Sequence, residues 1–365
     1  MKFVSGDRVF LMLVITLALA GIAIFSSAAL GLLARESSSV SRDILLQTGL
    51  GLGLGLVAFL LARAVPFALI KRYAPHFFIA TLILTALVFI PGIGFHSGGA
   101  TRWINLRVTT FQPAELLKIG FVFALAWWLA PRARQLRNPK KGLLPFVAVL
   151  AVPAALLLAQ PNTSTTMLLL ATGAVMYFAA GAPWRDFGIL GLGVLLVLSA
   201  VILARPYVLQ RVKTFVDPSA HSLSSGYQIQ QALIAVGSGG LLGRGFGQSV
   251  EKFNYLPEPD GDSVFAVFAE ETGFIGTLIL LVLFVALAAR GIVIAGNSAD
   301  LFGGLMALGF SFLIILQAFI NIGAMLGIIP LTGLPLPFIS HGGTALATTL
   351  LMCGLILNVS VHKRA

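Results

Sequence analysis

Cysteine is almost absent from this sequence. The single cysteine, Cys353, lies in an apolar run, so neither a disulfide framework nor a thiolate metal site is available. Histidine is also scarce, and the histidines are scattered without the spacing of metal ligands. We therefore predict no dedicated metal site in the protein. The histidines are His76, His96, His221, His341 and His362.

Charge is the second deficit. Charged residues make up only 10% of the 365 residues, whereas hydrophobic residues make up 58%. The mean hydropathy of +0.97 lies far outside the range of a soluble domain of this length. The apolar runs are long and do not alternate with a period of two, which excludes a transmembrane barrel. The sequence therefore predicts an all-α fold and a polytopic integral membrane protein.

Ten apolar runs are each long enough to form a helix across a hydrocarbon core of about 30 Å. We predict one transmembrane domain over residues 1–365, with a long loop at 205–262 between the seventh and eighth helices. Inside the loop, Tyr227–Val236 is typical of an amphipathic helix that lies at the interface or re-enters it. The alternating glycines from Gly49 to Gly55 allow close helix contact or a flexible helix. The predicted membrane helices are Val9–Leu33, Ile44–Ala62, Phe77–Phe95, Glu115–Ala130, Leu143–Ala159, Thr165–Ala180, Phe187–Ala204, Val264–Ala289, Leu301–Ile329 and Phe338–Val361.

Lysine and arginine are distributed unevenly among the connections. With the amino terminus inside, the inner connections and the termini carry most of the basic residues, including Arg63, Arg132 and Arg290. This bias predicts that both termini are cytoplasmic and that the long loop is extracytoplasmic. The net charge of +11 is then explained by topology, and nucleic-acid binding is not implied.

Acidic residues are concentrated in one stretch, Tyr255–Gly273, which reads YLPEPDGDSVFAVFAEETG. Carboxylates at or inside a bilayer are costly, so such a cluster indicates a functional site. Asp262 directly precedes an apolar run. It could cap the helix there, or, if Ser263 is the cap, it could remain free as a base at the membrane surface.

The other acids of this stretch divide into two groups. Glu258 and Asp260 lie in a Pro-Gly turn and are typical of solvated loop residues. Glu270 and Glu271 lie about 12 Å deeper along the helix and are splayed by about 100°. At most one of them shares the face of Asp262, and we expect the other to pair with a cation on a neighbouring helix.

Cations near these carboxylates are candidates for anion binding. Lys118 and Glu115 are three residues apart on one helical face. They could form a structural pair, or Lys118 could neutralise a substrate phosphate or a carboxylate of the eighth helix. Arg102 could bind phosphate or anchor the chain at lipid headgroups. The glycine-rich Gly237–Ser249 lacks the ending of a nucleotide phosphate loop and predicts tight turns, with lipid phosphate contact by Arg244 as the alternative.

Long blocks of the sequence resemble the SEDS family (shape, elongation, division and sporulation) from the third predicted helix onward. The blocks are GATRWINLRVTTFQPAELLK, RVKTFVDP, GYQIQQALIAVGSGGLLGRGFGQSVEKFNYLPEPDGDSVFAVFAEETGFIG and NIGAMLGIIPLTGLPLPFISHGGTALA. The resemblance implies ten membrane helices and an enzyme that polymerises lipid II into glycan strands. It places the reaction at the outer face of the bacterial cytoplasmic membrane. The implied partners are a class B penicillin-binding protein, as transpeptidase, and other divisome or elongasome membrane proteins.

The resemblance also assigns residues. The essential aspartate of the family falls on Asp262, for which we hypothesise the role of general base toward the 4-hydroxyl of the acceptor sugar. Glu258 would help to shape the approach of substrate. Mg²⁺ or Mn²⁺ could bridge phosphate oxygens and acidic side chains. The family's helix-four pair and paired glutamates fall on Glu115, Lys118, Glu270 and Glu271. The cations proposed for the leaving pyrophosphate are Arg102, Lys118, Arg211 and Arg244.

The chain departs from the family pattern at three points. Asp260 and Gly261 precede the aspartate, Asn162 replaces an acidic residue in QPNTST, and His341 replaces tyrosine in SHGG. The GLPLPF and GGTALA runs favour the division (FtsW) branch over the elongation (RodA) branch. Three alternatives stay open: a lipid II flippase or transporter, a non-catalytic scaffold for the transpeptidase, and an O-antigen-type polymerase or ligase.

Overall fold

The computed structural model describes residues 6–35, 39–97, 100–105, 110–218 and 225–362, and it is mostly helical. The helices are α1 (Arg8–Arg35), α2 (Ser39–Ala64), α3 (Phe67–Ala86), α4 (Pro113–Leu129), α5 (Leu143–Ala159), α6 (Thr163–Ala179), α7 (Trp184–Ala204), α8 (Pro206–Val216), α9 (Ser225–Ser238), α10 (Glu251–Asn254), α11 (Val264–Gly296), α12 (Leu301–Met325) and α13 (Gly343–Val361). Short 3-10 helices follow α3 at Leu87–Phe89 and α4 at Ala130–Gln135.

A helix overlaps each of the ten predicted apolar runs. Seven of the described helices, namely α1, α3, α4, α7, α11, α12 and α13, are long and apolar enough to cross a bilayer. The helices α5 and α6 have 17 residues each and span about 26 Å, slightly less than a hydrocarbon core. The apolar part of α2, Gly51–Ala64, is shorter still. The protein is thus an integral membrane protein, and the count of ten crossings stays a prediction.

Several predicted helix ends are wrong. Helix α3 begins at Phe67 rather than Phe77, because Pro66 starts it and Pro75 is tolerated inside it. Helix α12 ends at Met325 rather than Ile329, and Gly327, which has a φ of +64°, follows the end of the helix. Helix α13 begins at Gly343, because Phe338, its predicted start, has a φ of +68°.

The prediction of an all-α fold is wrong in the connection between α3 and α4. Three antiparallel strands, β1 (Gly94–Ser97), β2 (Ala100–Asn105) and β3 (Thr110–Phe111), form a small sheet in the order β1-β2-β3. Gly98 and Gly99 separate the first two strands in the sequence, and a Gly-Gly pair between two such runs is a hairpin signal. The polar character of the segment obscured that signal.

The predicted long loop contains three helices, α8, α9 and α10. Helix α9 confirms the helix expected at Tyr227–Val236, but Leu233 and Ile234, which were expected on its apolar side, are exposed. Its buried side includes Ile229, Ala232 and Ala235. This segment therefore has one face packed on the protein, and its depth relative to a membrane stays a prediction.

Helix α4 lies at the centre of the helix packing. Nearly all of its residues are buried, including both charged ones, Glu115 and Lys118. A helix that is apolar around its whole circumference is expected inside a larger bundle. Helix α7 is the opposite case, because only Asp186 is buried in it. Its apolar surface fits contact with lipid chains.

Two glycines let α2 and α13 approach closely. A Cβ on Gly51 would lie 2.5 Å from Gly343 Cα, and one on Gly55 would lie 2.7 Å from the Leu350 side chain. A Cβ on Gly53 would meet no described atom within 4 Å. The alternating glycines thus include two that serve close helix contact, as small residues do in membrane helix packing.

We expect Gly51→Ala to destabilise the protein by about 1–3 kcal/mol, because the added methyl group meets backbone that cannot move aside cheaply. Gly53→Ala is the matched control and should be neutral or slightly stabilising, since alanine is the better helix former. Thermal unfolding of detergent-solubilised protein checks the pair. Equal melting temperatures for both variants would contradict the close contact.

Candidate functional site

Asp262 lies just before α11, where two neutral amides hold it. Gln228 Nε2 on α9 donates to Asp262 Oδ1 at 3.1 Å and to Ser263 Oγ at 2.9 Å. Asn321 Nδ2 on α12 donates to the Asp262 main-chain oxygen at 2.8 Å. The N-cap position of α11 is Ser263, and among the described residues its side chain makes no capping bond. The carboxylate of Asp262 therefore faces α9 instead of capping α11.

The pKa of Asp262 is raised to about 6, mainly by burial and also by the nearby charge of Glu258. The hydrogen bond from Gln228 and the charge of Arg211 act in the opposite direction but are weaker. A carboxylate with a pKa near 6 is ionised at neutral pH yet holds a proton better than an ordinary aspartate does. Such a group suits general base chemistry.

The turn before Asp262 differs from expectation at one position. Glu258 is exposed, with a φ of +46°. Asp260 is not a solvated residue, because it is only 5% exposed. The main-chain N–H of His341 donates to Asp260 O at 2.6 Å, and His341 Nδ1 lies 3.6 Å from Asp260 Oδ2. The prediction for Asp260 was wrong because a distant segment covers the turn.

Arg102 and Arg211 lie close enough for their charges to interact. Arg102 donates to the main-chain oxygen of Gln160 at 3.1 Å and to that of Pro161. These two bonds join β2 to the turn between α5 and α6. Arg211 Nη1 on α8 donates to Thr332 O at 3.4 Å. Burial and the charge of Arg211 lower the pKa of Arg102. Two adjacent cations of this kind attract an anion.

Asn162 takes up the helix-capping role at the position where the family pattern has an acid. Its Oδ1 accepts from the main-chain N–H of Thr165 at 3.3 Å, at the start of α6. On the same helix, Ser164 Oγ donates to Thr332 O at 2.8 Å, the oxygen that Arg211 also contacts. The turn before α6 is therefore tied to the segment between α12 and α13.

Lys118 and Glu115 form a buried pair at 2.8 Å, which favours the structural alternative for them. Thr348 Oγ1 donates to Glu115 Oε2 at 3.0 Å, and Lys118 Nζ donates to Gln317 Oε1 at 2.8 Å. Lys118 therefore pairs with Glu115 on its own helix and not with a carboxylate of the eighth predicted helix. Gln317 in turn donates to Pro335 O at 2.8 Å. The pair therefore braces the segment that passes Asp262.

Glu270 and Glu271 are both buried and both paired, but the cations come from the long loop rather than from a neighbouring helix. Arg244 Nε lies 3.3 Å from Glu270 Oε1, so this arginine contacts a carboxylate rather than only an external phosphate. Lys252 Nζ lies 2.6 Å from Glu271 Oε1 and also donates to Ser27 Oγ at 3.0 Å.

Sequence reasoning missed Lys252. It lies 19 positions before its partner Glu271 and follows no helical spacing relative to it. The one available signal was that two buried glutamates need compensating cations, whereas the sequence suggested only Lys118 as a partner for a carboxylate of that helix.

The glycine-rich segment packs against a break in α11. Gly273 has a φ of +65° and a ψ of −164°, which interrupts the helix. Gly243, at a φ of +78°, lies so close to the Glu271 main chain that a Cβ there would clash with it. The glycines therefore serve a close backbone approach as well as turns.

The described residues hold no group of three or more His, Cys, Asp or Glu side chains that could bind a metal ion. His221 lies outside the described ranges. Glu258 and Asp262 alone would need further ligands, so these residues do not form a complete site for Mg²⁺ or Mn²⁺.

The fold and the site define a class of protein: a polytopic helical membrane protein with a carboxylate at the start of a helix and the charge of an arginine, Arg211, close to it. Residues 7–365 match the sequence model of the FtsW/RodA/SpoVE family, described as a cell cycle protein. The chain belongs to this family.

Two curated relatives and two solved structures illustrate the similarity. Stage V sporulation protein E of Bacillus subtilis (strain 168) is 37% identical over 312 residues, covering 86% of this chain and 85% of that protein. The probable peptidoglycan glycosyltransferase FtsW of Geobacter sp. (strain M18) is 34% identical over 365 residues, with coverage of 100% and 99%. The rod shape determining protein RodA of Thermus thermophilus superposes with a TM-score of 0.73 at 29% identity, covering 100% of both chains. A chain from a peptidoglycan synthase complex that coordinates polymerization and crosslinking gives 0.77 at 29% identity, covering 98% of each.

Lys252→Met should destabilise the protein by about 3–5 kcal/mol, because it leaves Glu271 buried without a cation. The double variant Lys252→Met/Glu271→Gln should recover much of the loss, since no buried charge then remains unpaired. Melting temperatures in detergent measure both effects.

Lys71→Met is the matched control for that pair of variants. It removes one partner of the exposed Lys71–Asp300 pair, whose atoms are 2.7 Å apart, and should cost at most about 1 kcal/mol. If Lys252→Met proves as mild as Lys71→Met, the buried pair does not hold the loop.

Proposed function

We propose that this protein is a peptidoglycan glycosyltransferase that polymerises lipid II, with Asp262 as the general base. The observation that carries the assignment is the position of Asp262 at the start of α11 in a chain of the FtsW/RodA/SpoVE family. Its carboxylate is bound by a neutral amide and its pKa is raised to about 6. Relatives named peptidoglycan glycosyltransferase match over nearly the whole chain, which supports the reaction class.

The proposed topology has ten membrane helices, cytoplasmic termini and an extracytoplasmic site. Asp7 N–H donates to Ser360 Oγ at 3.0 Å, and the Asp7 carboxylate pairs with Arg290 at 2.7 Å, so both ends of the described chain meet the late part of α11. Asp262 precedes the other end of this 33-residue helix. The basic residues near Arg290 favour the cytoplasm for that end. The site then lies at the outer face of the bacterial cytoplasmic membrane.

In the proposed reaction, Asp262 removes the proton of the acceptor sugar 4-hydroxyl as that oxygen attacks the anomeric carbon of the donor. The bond from this carbon to the pyrophosphate breaks, and the negative charge passes to the leaving group. Arg102 and Arg211 are placed to stabilise that charge. Glu258, exposed in the preceding turn, shapes the acceptor's approach.

Three of the predicted substrate contacts take other roles in this proposal. Glu115 and Lys118 are buried together and act by holding the segment beside Asp262. Arg244 holds Glu270, so no step is assigned to it. The pyrophosphate therefore depends on the remaining two arginines.

A class B penicillin-binding protein is the proposed partner, together with other divisome or elongasome proteins. The similar chain from a complex that coordinates polymerization and crosslinking supports a transpeptidase partner. The curated relatives named FtsW support the division branch, as the GLPLPF and GGTALA runs do.

Asp262→Asn should reduce lipid II polymerisation by at least about a hundredfold, because the amide cannot accept the proton. Asp260→Asn should retain most of the activity, since Asp260 binds His341 and not the substrate. Gel analysis of glycan strands made from purified lipid II, with and without the transpeptidase partner, measures both.

Asp300→Asn is the control for this experiment, because its side chain caps α12, as asparagine also can, far from the site. Wild-type polymerisation by folded Asp262→Asn would exclude the general base role. Lipid II movement across liposomes without glycan synthesis would instead indicate a flippase.

The rate of polymerisation should fall as the pH drops below about 6. The pKa of Asp262 is raised, so its base form is lost on protonation through that value, and the rate should fall about tenfold per pH unit below it. Initial rates at lipid II concentrations well below KM, measured from about pH 4.5 to 8, give the profile of kcat/KM, which reports the ionisation of the free enzyme. A rate that is constant down to pH 4.5 would contradict this assignment.

A further inference from the structure

Gln228 has an unusual position relative to the reaction centre. Its side-chain nitrogen carries two hydrogens and contacts two acceptors, Asp262 Oδ1 at 3.1 Å and Ser263 Oγ at 2.9 Å. Both N–H groups are thereby used within the site. Gln228 binds Oδ1 of the Asp262 carboxylate, whereas the second oxygen, Oδ2, lies on the side of Gly333.

The carboxylate and the main chain of Asp262 are held by different helices. Asn321 on α12 fixes the main-chain oxygen at 2.8 Å and also binds Leu334 O at 2.8 Å. Gln228 on α9 fixes the side chain alone. Loss of Gln228 should therefore leave the backbone of the turn in place while releasing the carboxylate.

The helix that carries Gln228 is firmly seated. Ile229 and Ala232, next to Gln228 on α9, are buried, and Ile229 lies near Gly327, which follows α12. A glutamine on a well-packed helix can hold an acceptor in one orientation, whereas the same residue on a mobile loop could not. The amide is thus preorganised.

The charges that face Asp262 leave a role for a neutral donor. Glu258 in the preceding turn repels the negative charge of the Asp262 carboxylate, and Arg211 on α8 attracts that charge. From α9 the facing group is the amide of Gln228, and from α12 it is the amide of Asn321. A lysine in place of Gln228 would pair with the carboxylate and weaken it as a base, whereas an amide orients it without neutralising it.

We propose that Gln228 is a positioning residue that orients the Asp262 carboxylate so that Oδ2 faces the acceptor hydroxyl. This inference rests on the proposed function of Asp262. It assigns α9, within the long loop, a direct link to the reacting group. A Cβ on Gly333, which has a φ of +65°, would lie 3.9 Å from Asp262 Oδ2, so this glycine bounds the space beside that oxygen.

Gln228→Met tests the proposal, because methionine has a similar length and no N–H donor. We expect kcat to fall about tenfold or more, with little change in KM for lipid II. The acid limb of the pH profile should move to higher pH, since the lost hydrogen bond favoured the ionised carboxylate. Gln228→Glu should move the limb further, because a second negative charge then faces Asp262.

Gln230→Met is the matched control, because it makes the same chemical change on the same helix where the amide contacts only Pro218 O, at 3.4 Å, in the described chain. It should leave kcat, KM and the pH profile unchanged. Melting temperature in detergent verifies folding of each variant. If Gln228→Met does not fold, Gln228→Asn replaces it, since the shorter side chain also withdraws the donor.

The outcomes separate this inference from the proposed function. Wild-type kinetics for Gln228→Met, or a fall in kcat that is equal at every pH, would overturn the positioning role while inactive Asp262→Asn upholds the base. An active Asp262→Asn would overturn both. A fall in kcat with a shifted acid limb, absent from Gln230→Met, supports the proposal.

Discussion

Pairing of buried charge is the constraint on which the rest of the site depends. A buried ion without a partner costs several kcal/mol, so carboxylates inside the helix bundle need cations. Glu115, Glu270 and Glu271 each have a lysine or arginine nitrogen within 3.3 Å. Carboxylates held in this way are occupied by their cations. Asp262 is bound by an amide and makes no ion pair with the described residues, so its carboxylate is left available to a substrate hydroxyl.

Neutral amides connect these fixed charges to the reaction centre. Lys118 binds Gln317, and Gln317 binds the main chain at Pro335, while Asn321, one turn further along α12, binds both Leu334 and Asp262. A side-chain amide transmits position without adding charge to the site. The buried pair on α4 can therefore influence catalysis through the backbone of the segment after α12 and without contact to substrate.

Sequence reasoning succeeded where the signal is local. The apolar runs predicted the membrane helices, the pattern in the long loop predicted helix α9, and charge density directed attention to the stretch that contains Asp262. It failed where the partner is distant in the chain. Nothing near Asp260 indicates that His341 covers it, and nothing near Lys252 indicates Glu271. The small sheet was missed because its strands are short and half of their residues are polar.

The break in α11 shows why the loop and this helix act as one unit. Gly273 would otherwise lie within a continuous helix, and the break frees the main-chain N–H groups of Phe274 and Ile275 and the carbonyls of Glu270 and Glu271. The loop provides a partner for each of these four groups. Phe274 and Ile275 donate to Gly240 and Leu241 at 2.9 and 3.2 Å, and Arg244 and Gly245 donate to the two freed carbonyls at 3.0 Å.

The same two glutamates thus bind the loop through both main chain and side chain. Irregular backbone at membrane depth is tolerated only when protein satisfies its polar groups, and here the compensation is complete for these four groups. The segment that follows α9 is bound to α11 around Gly273, nine residues after Val264, the first residue of α11. Because α9 ends where that segment begins, the helix break also determines where Gln228 lies relative to Asp262.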